Sequence, residues 1–121
     1  MFPELTYQII GILFSVWNNL SYGHKERFYQ RAIAQSLREY NFPFKEQVEV
    51  KVNFKGKEVD VCYLDFLIDN KIVLEIKKRE YFSTKDIEQL YAYLKATGLK
   101  LGILAHFTRT GVKFKRIVNL K

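Results

Sequence analysis

Asp65, Glu75 and Lys77 are the side chains of this 121-residue chain whose types and spacing could do chemistry together. Each interrupts a mostly apolar run, Asp65 in Val59 to Ile68 and the other two in Ile72 to Lys77. Successive side chains of a strand alternate between faces, so Val73, Glu75 and Lys77 share one face and Ile72, Leu74 and Ile76 the other. Asp69-Asn70 marks a tight turn between the two runs. If residues whose numbers sum to 140 lie opposite each other, Ile68 meets Ile72, Phe66 meets Leu74 and Leu64 meets Ile76. A slip by one residue would set Asp65 against Leu74 and Glu75 against Leu64. Hydrophobic pairing therefore brings Asp65 opposite Glu75, two carboxylates about 5 Å apart with an ammonium one strand step away.

Carboxylates that close raise each other's pKa unless a cation lies between them. Two carboxylate oxygens, a backbone carbonyl and retained waters suit the octahedral demand of Mg²⁺, which commonly completes its shell with phosphate oxygens. Lys77 would then orient a nucleophile or stabilise charge developing on a phosphate. The structural alternative is a cross-strand arrangement in which Lys77 merely neutralises Glu75 or Asp65.

The elements that must hold this trio can be read from periodicity. Pro3 and Glu4 suit a helix start, and Leu5, Ile9, Ile12, Val16 and Leu20 recur at helical spacing, predicting a helix over residues 3 to 20. Ile10, Leu13, Phe14 and Trp17 widen its apolar surface toward burial on more than one side. A second helix is expected from about His24 to Tyr40, carrying Tyr29, Ile33, Ser36, Leu37 and Tyr40 on one stripe. Val48, Val50, Val52 and Phe54 alternate with polar residues, as in a strand with one covered face. After Lys55-Gly56-Lys57, the run Val59 to Ile68 reads as a central strand buried on both faces. Ile72 to Lys77 is a third strand. Ser83 or Thr84 can cap a helix ending at Gly98, and Leu99 to Phe107 and Val112 to Leu120 read as two further strands. The result is a single α/β domain over residues 1 to 121 in the order α, α, β, β, β, α, β, β.

Composition supports that reading and adds a partner. With 48% hydrophobic residues, 10 Phe and 8 Tyr, a packed core is expected and disorder is not. The net charge of +7 is uneven: residues 1 to 88 hold 13 basic and 13 acidic side chains, whereas 89 to 121 contain seven basic residues and no acid. Such a stretch attracts a polyanion, nucleic acid before an anionic membrane surface, although a solvated face would look the same. The lone Cys62 cannot form an internal disulfide, and the apolar run Ile9 to Trp17 is too short to span a bilayer and lacks a basic start, so a cytoplasmic protein is expected. His24 and His106 stand alone, one near a helix start and one near a strand end, and are expected to be solvated or substrate-facing.

The pattern Asp65, nine residues, Glu75-Ile76-Lys77 resembles the metal-binding signature of the PD-(D/E)XK nuclease superfamily, with Leu64 where the signature's proline would stand. Gly23-His24-Lys25-Glu26-Arg27-Phe28-Tyr29 is similar to the Gly-x-x-Glu-x-x-Tyr pattern of one small-protein branch. Gln89-Leu90-Tyr91-Ala92-Tyr93 resembles the Gln-x-x-x-Tyr element of RecB-like members. The resemblance implies a restriction-endonuclease-like αβββαβ core, a mixed central sheet flanked by helices, with the first helix as an addition.

It also implies roles. Asp65 and Glu75 would be metal ligands with the Ile76 carbonyl as a third, Lys77 the catalytic lysine, and Glu26 a further carboxylate of the metal site or its surroundings. Gln89 would hydrogen-bond the reacting water or a phosphate. Tyr29 and Tyr93 would line the substrate or pack in the core. From the charge distribution, Arg109, Lys113, Lys115 and Arg116 would hold the backbone, with Lys78 and Arg79 either contacting phosphates as well or forming a solvated strand end. The expected activity is a Mg²⁺- or Mn²⁺-dependent phosphodiesterase hydrolysing nucleic acid, DNA above RNA, by metal-activated water. The alternative is a nucleic-acid-binding module that keeps the fold without the activity, acting within a larger assembly. A homodimer through the first helix or an edge strand is compatible with either.

Overall fold

The computed structural model describes residues 1–120; Lys121, the last basic residue, lies outside them. The elements run α1 (Pro3–Leu20), α2 (Glu26–Glu39), β1 (Phe44–Phe54), β2 (Lys57–Ile68), β3 (Ile72–Lys77), α3 (Thr84–Thr97), β4 (Leu101–Thr108) and β5 (Gly111–Val118). The strands form one mixed sheet in the order β1-β2-β3-β4-β5, in which β3 and β4 are parallel and the other neighbours antiparallel. A parallel pair needs a crossover, and α3 supplies it.

Local chemistry explains the joints. The two hairpin turns that flank β2, Lys55-Gly56 and Asp69-Asn70, place two successive residues at positive φ, the signature of the type I′ turn that matches strand twist. The Ser83 hydroxyl accepts from the Asp86 amide at the start of α3, and Gly98 in the left-handed region closes its end. Asn119 then ties β5 to that end by donating to the Leu94 and Leu99 carbonyls. Trp17 fixes α1 to the end of β4 by donating to the Thr108 carbonyl at 2.9 Å.

Two apolar layers sandwich the sheet. One joins α1 and α2 to Phe66, Ile68, Ile72, Leu74, Ile76, Ile103, Ala105 and Phe107. The other joins α3, through Leu90, Tyr93 and Leu94, to Val50, Leu64, Val73, Leu104 and Ile117. On β3 and β4 adjacent residues serve opposite layers, and β4 is buried at every position, so these two strands form the spine. Gly102 is where α3 comes closest: a Cβ there would meet three Leu90 side-chain atoms at 3.1 Å.

Three expectations change. Burial on both faces belongs to β3 and β4, not to the whole of β2, which is buried at Leu64, Phe66 and Ile68 but exposed from Lys57 to Asp60. There β1 and β2 project as a two-stranded ribbon beyond the six-residue β3, so Phe54 and Val59 face solvent. In α1, Phe14 is 41% exposed and Tyr7 more so, because α2 and the sheet cover one side only.

The third change concerns register. The sum-of-140 pairing holds for Ile68–Ile72, Leu67–Val73 and Phe66–Leu74, and the recorded ladder ends there. Leu64 joins the α3 layer while Ile76 joins the α1/α2 layer, so they do not share a face. The ribbon rolls over at this point. Phe44, Phe66 and Ile68 face α1 and α2, whereas Val48, Val50 and Leu64, still even-numbered, face α3. Between the two sets Gln47 adopts φ 49° within β1, a left-handed conformation that reverses facing where simple alternation cannot.

Candidate active site

Asp65 and Glu75 meet where β2 peels away from β3. Each carboxylate takes a backbone amide that continued pairing would have used: the Asp65 N–H donates to Glu75 Oε1 and the Ile76 N–H to Asp65 Oδ2, both at 2.8 Å. The side chains thus plug the opening in the ladder and satisfy buried donors that would be costly to leave unpaired. Each carboxylate keeps its second oxygen free of the main chain. Asp65 Oδ1 is approached by the side-chain amide of Gln47, at 3.5 Å.

The electrostatics record crowding. Glu75 is 7% exposed, and burial followed by the Asp65 charge pushes its carboxyl up to about 8. Asp65 is also raised, first by burial and then by Glu26, against the Ile76 amide, Lys77 and Gln47, which hold it down. Lys77 acts on both carboxyls through space. It forms no ion pair or hydrogen bond among the described residues, so the simple neutralising pair does not occur. The ammonium remains available to a further anion.

A divalent cation fits this donor set. Carboxylates of neighbouring strands meet, each is oriented by a main-chain amide, and both are held above their usual pKa by burial and then by neighbouring negative charge. Among the described residues no group of three or more His, Cys, Asp or Glu is close enough to ligate one ion. Glu26, the first residue of α2, raises both carboxyls but stands outside the pair. The remainder of a metal shell would come from main chain, water or substrate, as Mg²⁺ tolerates. Ile76 itself is buried in β3 beside Ala105.

The other expected residues separate. Tyr29 is wholly buried, stacked on Phe107 at 4.5 Å, and its hydroxyl donates to the Ser21 carbonyl at 2.6 Å, the core position of the two that the sequence left open. Tyr93 is buried under α3, where burial and the neighbouring Cys62 thiol, then the two carboxylates, keep its phenol protonated. Gln89, one turn earlier, is exposed. Cys62 is half-buried.

Arg79 is committed to the buried Asp86, leaving Lys78, poised over the Tyr22 ring at 4.6 Å, as the cation beyond Lys77. His106 is fully buried against Phe82, at 4.2 Å between rings, and burial pushes its pKa down; the expectation of a solvated imidazole is corrected. The helix α3 and its preceding loop cover that face, which a strand-end position alone does not reveal. His24 is half-buried, its Nε2 bonded to the Leu20 carbonyl at 2.9 Å at the end of α1.

The basic residues of β5 split by alternation. Lys113 and Lys115 lie on the α3 face, over Tyr81 and Phe82 respectively. Arg116 lies on the other face, where with Tyr7, Phe14 and Phe114 it lines a groove of about 660 Å³ between α1 and β5. Arg109 occupies the β4–β5 turn, its N–H bonded to Glu80 Oε2 at 2.9 Å. Lys113 and Lys115 stand in register with the site across β4, in the rows Lys77–His106–Lys113 and Glu75–Leu104–Lys115.

Gln47 is the site residue that sequence reasoning passed over. It sat at a polar position of an alternating strand, where a solvated side chain is the ordinary expectation. The pairs on either side, Glu46–Phe66 and Val48–Leu64, bring Gln47 beside Asp65, a β1–β2 register that the sequence reading did not derive.

Comparison with known proteins places this geometry. A model of the PD-(D/E)XK nuclease superfamily matches residues 3–117. The chain belongs to that superfamily. Among solved structures, the crystal structure of SSO0001 is similar with a TM-score of 0.60 and 24% identity, over 77% of this chain and 50% of that one. The chain thus spans half the length of that neighbour. An alkaline exonuclease (LHK-Exo) from Laribacter hongkongensis has a TM-score of 0.53 and 11% identity over 94% of this chain and 82% of that one. At these identities the likeness is one of fold. No curated protein matches the chain. As a superfamily member it carries the mixed sheet flanked by helices that such nucleases share, and PD-(D/E)XK nucleases generally use divalent metal ions.

Proposed function

We propose that this PD-(D/E)XK member is a nuclease of the Gly-x-x-Glu-x-x-Tyr branch that hydrolyses nucleic acid, DNA in preference to RNA, with Mg²⁺ or Mn²⁺, in the cytoplasm. The observation that carries the reading is the opening between β2 and β3, where Asp65 and Glu75 each keep one oxygen free of the main chain beside the uncommitted Lys77. Family membership and an exonuclease among the fold neighbours support it.

Asp65, Glu75 and the Ile76 carbonyl would hold the cation, with Glu26 shaping the field around it. Bound there, a divalent ion supplies Lewis acidity toward the phosphate and makes water a better nucleophile near neutral pH. The chain's own residues do the rest. The amides of Asp65 and Ile76 fix the two carboxylates before anything binds, so little reorganisation accompanies the reaction. Lys77 meets the negative charge that grows on the phosphate as the new P–O bond forms. Lys113 and Lys115, on the same face, attract the backbone, and Gln89 and Lys78 flank the approach.

Cleavage of labelled single-stranded, double-stranded and branched DNA and of RNA, with Mg²⁺, Mn²⁺ or chelator, tests the proposal. Activity should require metal and disappear in Asp65→Ala and Glu75→Ala; activity that survives either substitution would sink it. The second reading is a silent binding module that keeps the fold without the activity. Salt-sensitive binding with no cleavage under any metal would establish that instead.

A further inference from the structure

The end of β3 that carries Lys77 is flanked by two exposed aromatic rings, each with an ammonium above it. Tyr81 lies four residues beyond Lys77, is 80% exposed and sits under Lys113 Nζ at 5.6 Å. Tyr22, in the α1–α2 connection, is 37% exposed and sits under Lys78 Nζ at 4.6 Å. Lys78 follows directly on the last residue of β3, so the two ring–ammonium pairs flank that strand end. The row Lys77–His106–Lys113 spans two strand spacings, about 10 Å. Phe82, next to Tyr81, anchors the loop by packing on buried His106. The nearby acid, Glu80, has its carboxylate engaged by the Arg109 amide.

Folding does not account for Tyr81. A ring that exposed buries little apolar area, and a surface cation–π contact contributes only about 0.5–1 kcal/mol. Alternating ammonium groups and open ring faces suit a chain of phosphates carrying unpaired bases: the cations follow the backbone, and each ring accepts any base by stacking. A duplex hides those base faces. We propose that Tyr81 and Tyr22 form a stacking platform that holds single-stranded nucleic acid across the end of β3, with Lys113 and Lys78 on its phosphates. This rests on the nuclease reading and names its substrate as a single strand or an unpaired end.

Fluorescence anisotropy with a labelled oligonucleotide of about 12 nucleotides, within the site sizes of single-strand binders, tests it in chelator so that nothing is cut. The same sequence as a duplex, and an abasic strand of equal charge, serve as comparisons. Tyr81→Ala should weaken binding of the normal strand by about tenfold, with Tyr81→Phe close to wild type and the abasic strand insensitive to either. Lys113→Ala should reduce the salt slope by about one unit on both strands. Because Tyr81 is exposed, its variants should melt with the wild type. Equal binding by wild type and Tyr81→Ala, or an abasic strand that loses as much as the normal one, overturns the proposal. Glu75-dependent cleavage alongside such a result leaves the nuclease reading intact, whereas Tyr81-dependent binding without any cleavage upholds the platform and overturns the nuclease.

Discussion

At the scale of single residues, the carboxylate pair makes stability and metal affinity depend on pH in opposite ways. Glu75 is pushed from 4.5 up to about 8, so between those values the folded protein keeps a proton that the unfolded chain has released. Without metal, the melting temperature should fall as pH rises through this window and level off above it. A cation must displace that proton, so Mg²⁺ or Mn²⁺ affinity by calorimetry should rise about tenfold per pH unit below about 8. In Glu75→Gln both dependences should flatten. Gln47 offers a second test. Its left-handed conformation costs a non-glycine residue roughly 1 kcal/mol, so Gln47→Gly should hold or raise stability to denaturant while Gln47→Val lowers it. Both should weaken metal binding if the side-chain amide helps orient Asp65.

At the scale of elements, the site depends on how α3 and its loop are seated. Adding a methyl group at Gly102 forces buried Leu90 to move, and Gly102→Ala should destabilise the fold by roughly 1–3 kcal/mol, read as a lower melting temperature. Arg79 neutralises Asp86, which is almost completely buried in the first turn of α3. Removing the guanidinium in Arg79→Ala leaves that acid unpaired and should cost about 1–3 kcal/mol, with Arg79/Asp86 double replacement recovering part of the loss. The helix spans, the two turns flanking β2 and the Ser83 and Gly98 caps were legible because helical period, turn residues and caps are local. Covering of β2, the roll at Gln47 and the burial of His106 were not, because each depends on which distant element lies above the strand.

At the scale of the molecule, the surplus positive charge divides between two faces. The acid-free stretch after Glu88 suggested one basic surface, but strand alternation puts Lys113 and Lys115 beside the candidate site and Arg116 in the α1–β5 groove. Charge reversal separates them: Lys113→Glu and Lys115→Glu should weaken binding to a polyanion steeply at low salt, whereas Arg116→Glu should change it little. No helix among the described residues is long and apolar enough to cross a membrane.

The sequence by itself determined the order of elements, the hairpin register as far as Phe66 and Leu74, and the meeting of Asp65 with Glu75. These follow from periodicity and from the cost of pairing a charge with an apolar residue, which act over a few positions. The tertiary structure decided that the carboxylates would leave the ladder and hold each other's neighbouring amides, that Lys77 would stay uncommitted, and that Tyr29 would join the core. Those outcomes turn on the twist of the ribbon and the packing of helices on both faces of β3 and β4, where burial and hydrogen-bond satisfaction are settled by chain segments far apart in sequence.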